Sequence, residues 1–94
     1  MRILGLPILE AFKKEHAASR GQLDAWQTDV ECENWETPHD IKRRCRSADF
    51  LADNRVIFDI KGNAYRLVVK IRYQNALVVV EWVGTHAECD KKKF

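Results

Sequence analysis

From Arg55 to Val83 the chain changes face with nearly every residue. Val56, Phe58 and Ile60 alternate with Arg55, Ile57 and Asp59. After Lys61-Gly62-Asn63-Ala64, the residues Tyr65, Leu67, Val69, Ile71 and Tyr73 alternate with Arg66, Val68, Lys70 and Arg72. Beyond Gln74-Asn75-Ala76, Val78, Val80 and Trp82 alternate with Leu77, Val79, Glu81 and Val83. A period of two puts successive side chains on opposite faces of a strand. Gly and Asn between such runs favour tight reversals. The pattern therefore predicts an antiparallel meander of three strands. One face carries Val56, Phe58, Ile60, Tyr65, Leu67, Val69, Ile71, Val78, Val80 and Trp82, and must be covered. The other carries Arg55, Asp59, Lys61, Arg66, Lys70, Arg72 and Glu81, a density of cations that suits a polyanion.

The cover has to come from the N-terminal half. Arg2 to Leu4 reads as a short strand. Ile8, Leu9 and Phe12 recur at helical spacing, and Pro7 suits a first turn, so the pattern predicts a helix from Leu6 to about His16. Ala17 to Gly21 reads as a turn. Leu23, Trp26 and Val30 predict a second helix from about Gln22 to Glu33. Thr37-Pro38-His39-Asp40 has the composition of a helix start and leads into a short third helix bearing Ile41 to Arg46. Thr85-x-x-Glu88 is a capping-box pattern and predicts a short helical turn near the C-terminus. The fold class expected is α+β: an N-terminal strand and two helices packed on one face of an antiparallel sheet. Trp26 and Trp82 fall on apolar faces and read as core, while Trp35 could pack or meet a partner. At 94 residues, with 46% hydrophobic and 32% charged, residues 1–94 are expected to make one domain with one core.

Charge is unevenly spread. Residues 1–40 hold Arg2, Lys13, Lys14 and Arg20 against eight acids, net −4, and residues 41–94 hold twelve cations against six acids, net +6. The basic half again points to a polyanion. Cys32, Cys45 and Cys89 form no Cys-x-x-Cys pair, and their spacing to His39 and His86 matches no ordinary zinc site, so neither a metal nor a cofactor is expected. Free thiols of this kind fit a reducing cytoplasm. No apolar run approaches the roughly 18–20 residues that span a bilayer. The N-terminal apolar stretch is broken by Pro7 and stops at Glu10, so it reads as mature structure with no membrane role.

Three ordered blocks carry a resemblance. Arg46-Ser47-Ala48-Asp49-Phe50, then Asn54 through Val69, then Val83-Gly84-Thr85-His86-Ala87-Glu88-Cys89-Asp90 are similar to the HigB toxins of the RelE/ParE superfamily, from bacterial type II toxin–antitoxin systems. The likeness is close from about Arg44 to Lys91 and only architectural in residues 1–40. It implies a RelE/ParE-like fold and a ribosome-dependent endoribonuclease that cuts messenger RNA in the A site. The implied partner is a HigA-type antitoxin with a helix-turn-helix domain, through which alone the complex reaches operator DNA. The chain departs from the family where Cys89 replaces a usual tyrosine, where Cys45 replaces an aromatic, and where Asp59 stands for a frequent asparagine. The resemblance gives position 89 an aromatic that could stack on a base, so Cys89→Tyr would be expected to raise cleavage.

Metal-independent RNA cleavage needs a proton acceptor for the 2′-hydroxyl, a donor for the leaving oxygen and cations for the extra charge. Arg66 lies on the polar face, can grip two phosphate oxygens, and matches the family's strand arginine. His86 is the acid–base candidate, because an imidazole can act either way near neutral pH. Asp90, four residues on, shares a helical face with His86 and could orient it. These three are the expected catalytic set. Lys61, Lys70 and the more peripheral Arg72 could hold the RNA backbone, and Asn63 could contact a base or simply make the turn. Arg43, Arg44 and Arg46 form a second basic cluster suited to RNA phosphates. Two other functions fit the same chain: a ParE-like gyrase poison, which needs no His/Asp pair, or a catalytically weak RNA- or antitoxin-binding module.

Overall fold

The computed structural model describes residues 1–62 and 64–92. Strand β1 (Arg2–Leu4) leads directly into α1 (Leu6–Glu15), with Gly5 as the hinge. Gly5 has φ +87°, and a Cβ there would stand 2.7 Å from the carbonyl oxygen of Val80. Only glycine lets the chain turn this close to the sheet. A 3-10 turn at Ala17–Ser19 joins α1 to α2 (Arg20–Cys32), so the expected turn is itself helical and α2 begins two residues before Gln22. Helix α3 (Pro38–Arg44) starts in a full capping box, with the Thr37 side chain accepting from Asp40 N–H and Asp40 accepting from Thr37 N–H.

Strands β2 (Asp49–Phe50), β3 (Arg55–Ile60), β4 (Tyr65–Arg72) and β5 (Leu77–Thr85) complete the sheet, and α4 (His86–Lys91) follows without a break. The strand order is β1-β5-β4-β3-β2. The β3-β4-β5 meander is antiparallel as its short turns require, while β1 lies parallel to β5 and makes the sheet mixed. The short β2 pairs only with Val56 and Ile57. The rest of the β3 edge, toward Ile60, is left without a strand partner among the described residues.

Leu9 and Phe12 of α1 and Leu23, Trp26 and Val30 of α2 bury against Val56, Phe58, Leu67, Val69, Ile71, Val78 and Val80. The cover is wider than two helices, because Trp35, Ile41 and Ala48 join the same core. Trp35 is 2% exposed, its ring stacked on Phe58, so it packs. Lys13 is also buried, at 2% exposure. Its ammonium ties α1 to α2 through Asp24 and also meets Glu10.

The alternation fails at one point. Val69 pairs with Val80, but Val68 pairs with Trp82, so Glu81 is an extra residue in β5. A bulge of this kind shifts the facing of every later residue by one. Val83 therefore packs against the main core. Trp82 turns to the opposite face, where it packs on Ile57, Val68 and Cys89. The expectation that Trp82 belongs to the helix-covered core is corrected. The cation-bearing face also has a small apolar cluster of its own, roofed by α4.

Candidate functional site

Helix α4 is fixed at its start. Thr85 and Glu88 form a capping box, and His86 N–H donates to the Ala64 carbonyl at 3.2 Å, tying the helix to the β3–β4 turn. The Thr85 backbone N–H, then its hydroxyl, hold the Glu88 carboxyl below the usual carboxylate range. Glu88 thus serves structure, and the next turn carries Cys89 and Asp90 toward β4.

Arg66, His86 and Asp90 come together there. His86 Nδ1 lies 3.1 Å from Asp90 Oδ2, and Arg66 Nη1 lies 3.7 Å from Asp90 Oδ1. The Arg66 Nε edge faces Asp59 Oδ1 at 3.4 Å. Neither of those two buried atoms has a hydrogen-bond partner among the described residues, so that contact is electrostatic. Arg66 Nη1 also lies 4.0 Å from Cys89 Sγ. Burial opposes the Arg66 charge, but Cys89, Asp59 and Asp90 outweigh it and hold the guanidinium protonated above its ordinary range. Partial exposure leaves an oxyanion room to approach.

Two contributors lie outside the expected set. Asp59 stands opposite Arg66 in the β3–β4 register. That pairing was readable in principle by counting back from the Lys61–Ala64 turn. Trp82 was not readable, because the bulge that rotates it has no mark in the alternation. The burial of Cys89, at 5% exposure, also alters the expectation for that position. Its thiol is a small packing group between Arg66 and the Ile57–Val68 cluster.

The other cations are dispersed. Lys61 is exposed in the turn, with φ +55°. Lys70 lies four residues along β4 from Arg66, about 13 Å of extended chain. With Arg72 it lines a separate shallow hollow beside Asn54 and Gln74. Asn63 lies outside the described residues. Arg55, on the same face, is neutralised by Glu81 at 2.7 Å. On the other cluster, Arg43 pairs with Asp40, and Arg44 reaches Asp29 at 2.7 Å and Glu33 at 3.8 Å. Arg46 makes no ion pair among the described residues. All three arginines line a groove of about 530 Å³ that runs past Trp26 and Phe58 to Asp59. Asp59 therefore joins this groove to the Arg66 site. Among the described residues no group of three His, Cys, Asp or Glu side chains is placed to hold a metal ion.

A small α+β domain with helices on one sheet face and a charged cluster on the other, at the end of the last strand, has the architecture of a RelE-like toxin. Residues 19–92 match the family model HigB_toxin, described as the RelE-like toxic component of a toxin-antitoxin system. The chain belongs to that family, and an antitoxin partner follows from it. No curated protein matches the chain. No helix among the described residues is long and apolar enough to cross a membrane.

Proposed function

We propose that this toxin is a ribosome-dependent, metal-independent endoribonuclease that cuts messenger RNA and is neutralised by a HigA-type antitoxin. One observation carries the reading. Asp90 bridges a protonated guanidinium and an imidazole, with Arg66 on one carboxylate oxygen and His86 on the other. In this reading Arg66 holds the scissile phosphate and steadies the charge that builds on it during attack. Asp90 faces His86 Nδ1 and so presents Nε2 to the substrate. Nε2 takes the proton of the 2′-hydroxyl, whose oxygen attacks the adjacent phosphorus. The bond to the 5′-oxygen breaks, giving a 2′,3′-cyclic phosphate and a 5′-hydroxyl end. The leaving oxygen draws its proton from His86 in return or from solvent. Arg46 and the groove beside Asp59 extend the phosphate-binding surface, and Lys61, Lys70 and Arg72 serve as more distant backbone contacts.

The test is 5′-end mapping of a message translated in a purified system with added toxin. His86→Ala should lower cleavage by roughly 10²–10⁴ and Asp90→Asn by less. Gyrase-dependent DNA damage without message cleavage would replace this reading with the ParE-like one. Antitoxin binding with neither activity would leave a binding module.

A further inference from the structure

Resting on the ribonuclease reading, we infer that Asp59 is a positioning residue for Arg66. From β3 it holds the Nε edge of the guanidinium, so that the Nη end meets the scissile phosphate in one orientation. The two residues are directly opposite in the β3–β4 register. The Asn54 carbonyl accepts from Ile71 N–H at 2.9 Å, which makes Asn54–Ile71 a hydrogen-bonded pair, and in an antiparallel ladder such pairs alternate. Counting on along β3, Asp59–Arg66 is a non-hydrogen-bonded pair, the class in which side chains stand closest across a sheet.

The two carboxylates on Arg66 differ in freedom. Asp59 projects from a strand with its side chain 17% exposed, whereas Asp90 sits in α4 with its side chain 58% exposed. An incoming phosphate can therefore displace Asp90 from Nη1, leaving Asp90 to His86, while Asp59 stays behind the guanidinium. Asp59 Oδ1 and Arg66 Nε are both buried, both without a hydrogen bond, and 3.4 Å from each other. A charge-assisted bond would be about 2.7–2.9 Å long. Bonds of this kind often tighten only when substrate is in place. Drawing the two atoms together satisfies two buried polar groups at once and fixes the plane of the guanidinium.

The experiment measures message cleavage on programmed ribosomes, with either phosphorothioate isomer at the scissile phosphate. Wild-type toxin should prefer one isomer. Asp59→Ala should lower kcat roughly 10²-fold with little change in KM. It should also lose the isomer preference, because a swinging guanidinium no longer tells the two oxygens apart. Asp59→Asn keeps an acceptor oxygen in place and should recover most of both. On an Arg66→Ala background, removing Asp59 should cost nothing further. Thermal unfolding and antitoxin binding identify folded variants, and Asp59→Leu, close to aspartate in volume, serves where the alanine variant does not fold. Unchanged or faster cleavage, an isomer preference that is absent in wild type or survives loss of Asp59, or additive losses with Arg66→Ala would overturn the positioning role alone. Loss of the fold in both Asp59→Ala and Asp59→Leu would make Asp59 structural and overturn it too. A wild-type toxin that cleaves no message would overturn the ribonuclease reading and the positioning role together.

Discussion

His86 Nδ1 stands 3.1 Å from Asp90 Oδ2, one helical turn apart on α4, and the other oxygen of that carboxylate faces Arg66. A single carboxylate thereby links the imidazole to the guanidinium. The separation of i and i+4 on a helix places the first pair, and the packing of α4 on β4 places the second.

Arg66→Ala should lower message cleavage by roughly two to three orders of magnitude and relieve growth arrest, while the fold survives. The side chain is partly exposed and leaves Asp59 and Asp90 able to meet water. Circular dichroism and 5′-end mapping check this together, and full toxicity in a folded variant removes Arg66 from the mechanism.

Free RNA should be cut poorly. The proton-transfer set is one imidazole beside a carboxylate that Arg66 also engages, so in the ribonuclease reading the in-line alignment of the message comes from the ribosome. Cleavage of a naked oligonucleotide in chelator should be slower than that of a translated message by several orders of magnitude. Comparable rates would contradict the dependence.

Antitoxin affinity should be set away from Arg66 and His86. Arg66→Ala and His86→Ala should keep the dissociation constant within about tenfold, or ~1.4 kcal/mol. Substitutions on the outer faces of α1 and α2, such as Ile8→Glu, should weaken binding further; Ile8 is 40% exposed. Calorimetric titration with the cognate antitoxin decides this, and a loss confined to the sheet-face variants would reverse it.

Cys89→Tyr should now lower both stability and cleavage. Forcing a ring into a site of 5% exposure, against Ile57, Val68 and Trp82, costs about 1–3 kcal/mol. It also pushes on Arg66. Urea unfolding with parallel cleavage assays tests this, and a more active variant of unchanged stability would argue for a base contact at position 89 after all.

Lys13 predicts an alkaline dependence of stability. Burial works against its charge, but Asp24 and Glu10 hold its ammonium above the ordinary lysine value. A pKa raised in the folded state gives stabilisation present in full below the unfolded value of about 10.4, and lost as pH rises through the folded value. Its acidic partners are 55% and 56% exposed, so solvent screening limits the pair to about 1 kcal/mol. Lys13→Met should therefore unfold within about that margin of wild type at pH 7 and show a shallower decline above pH 10 in urea titrations. An unchanged alkaline limb would count against the pair.

The alternation from Arg55 to Ile71, the apolar spacing of Leu23, Trp26 and Val30, and the two capping boxes are local properties. Each depends on a residue and its near neighbours, so the strands, helices and starts of α3 and α4 were legible in the chain. His86 and Asp90 were legible as a pair for the same reason. The union of that pair with Arg66 was expected only with the family resemblance and not from local pattern, because it depends on α4 folding back over β4 under a hydrogen bond from His86 to Ala64. The parallel pairing of β1 with β5 likewise joins segments far apart in the chain. The facing of Trp82 depended on the bulge at Glu81, which ladder pairing with β4 decides and no local pattern announces. Sequence by itself determined which residues face in as far as the β5 bulge, and which could do chemistry. Tertiary structure alone decided which of them meet, because strand register and helix docking are settled by the packing of the whole sheet.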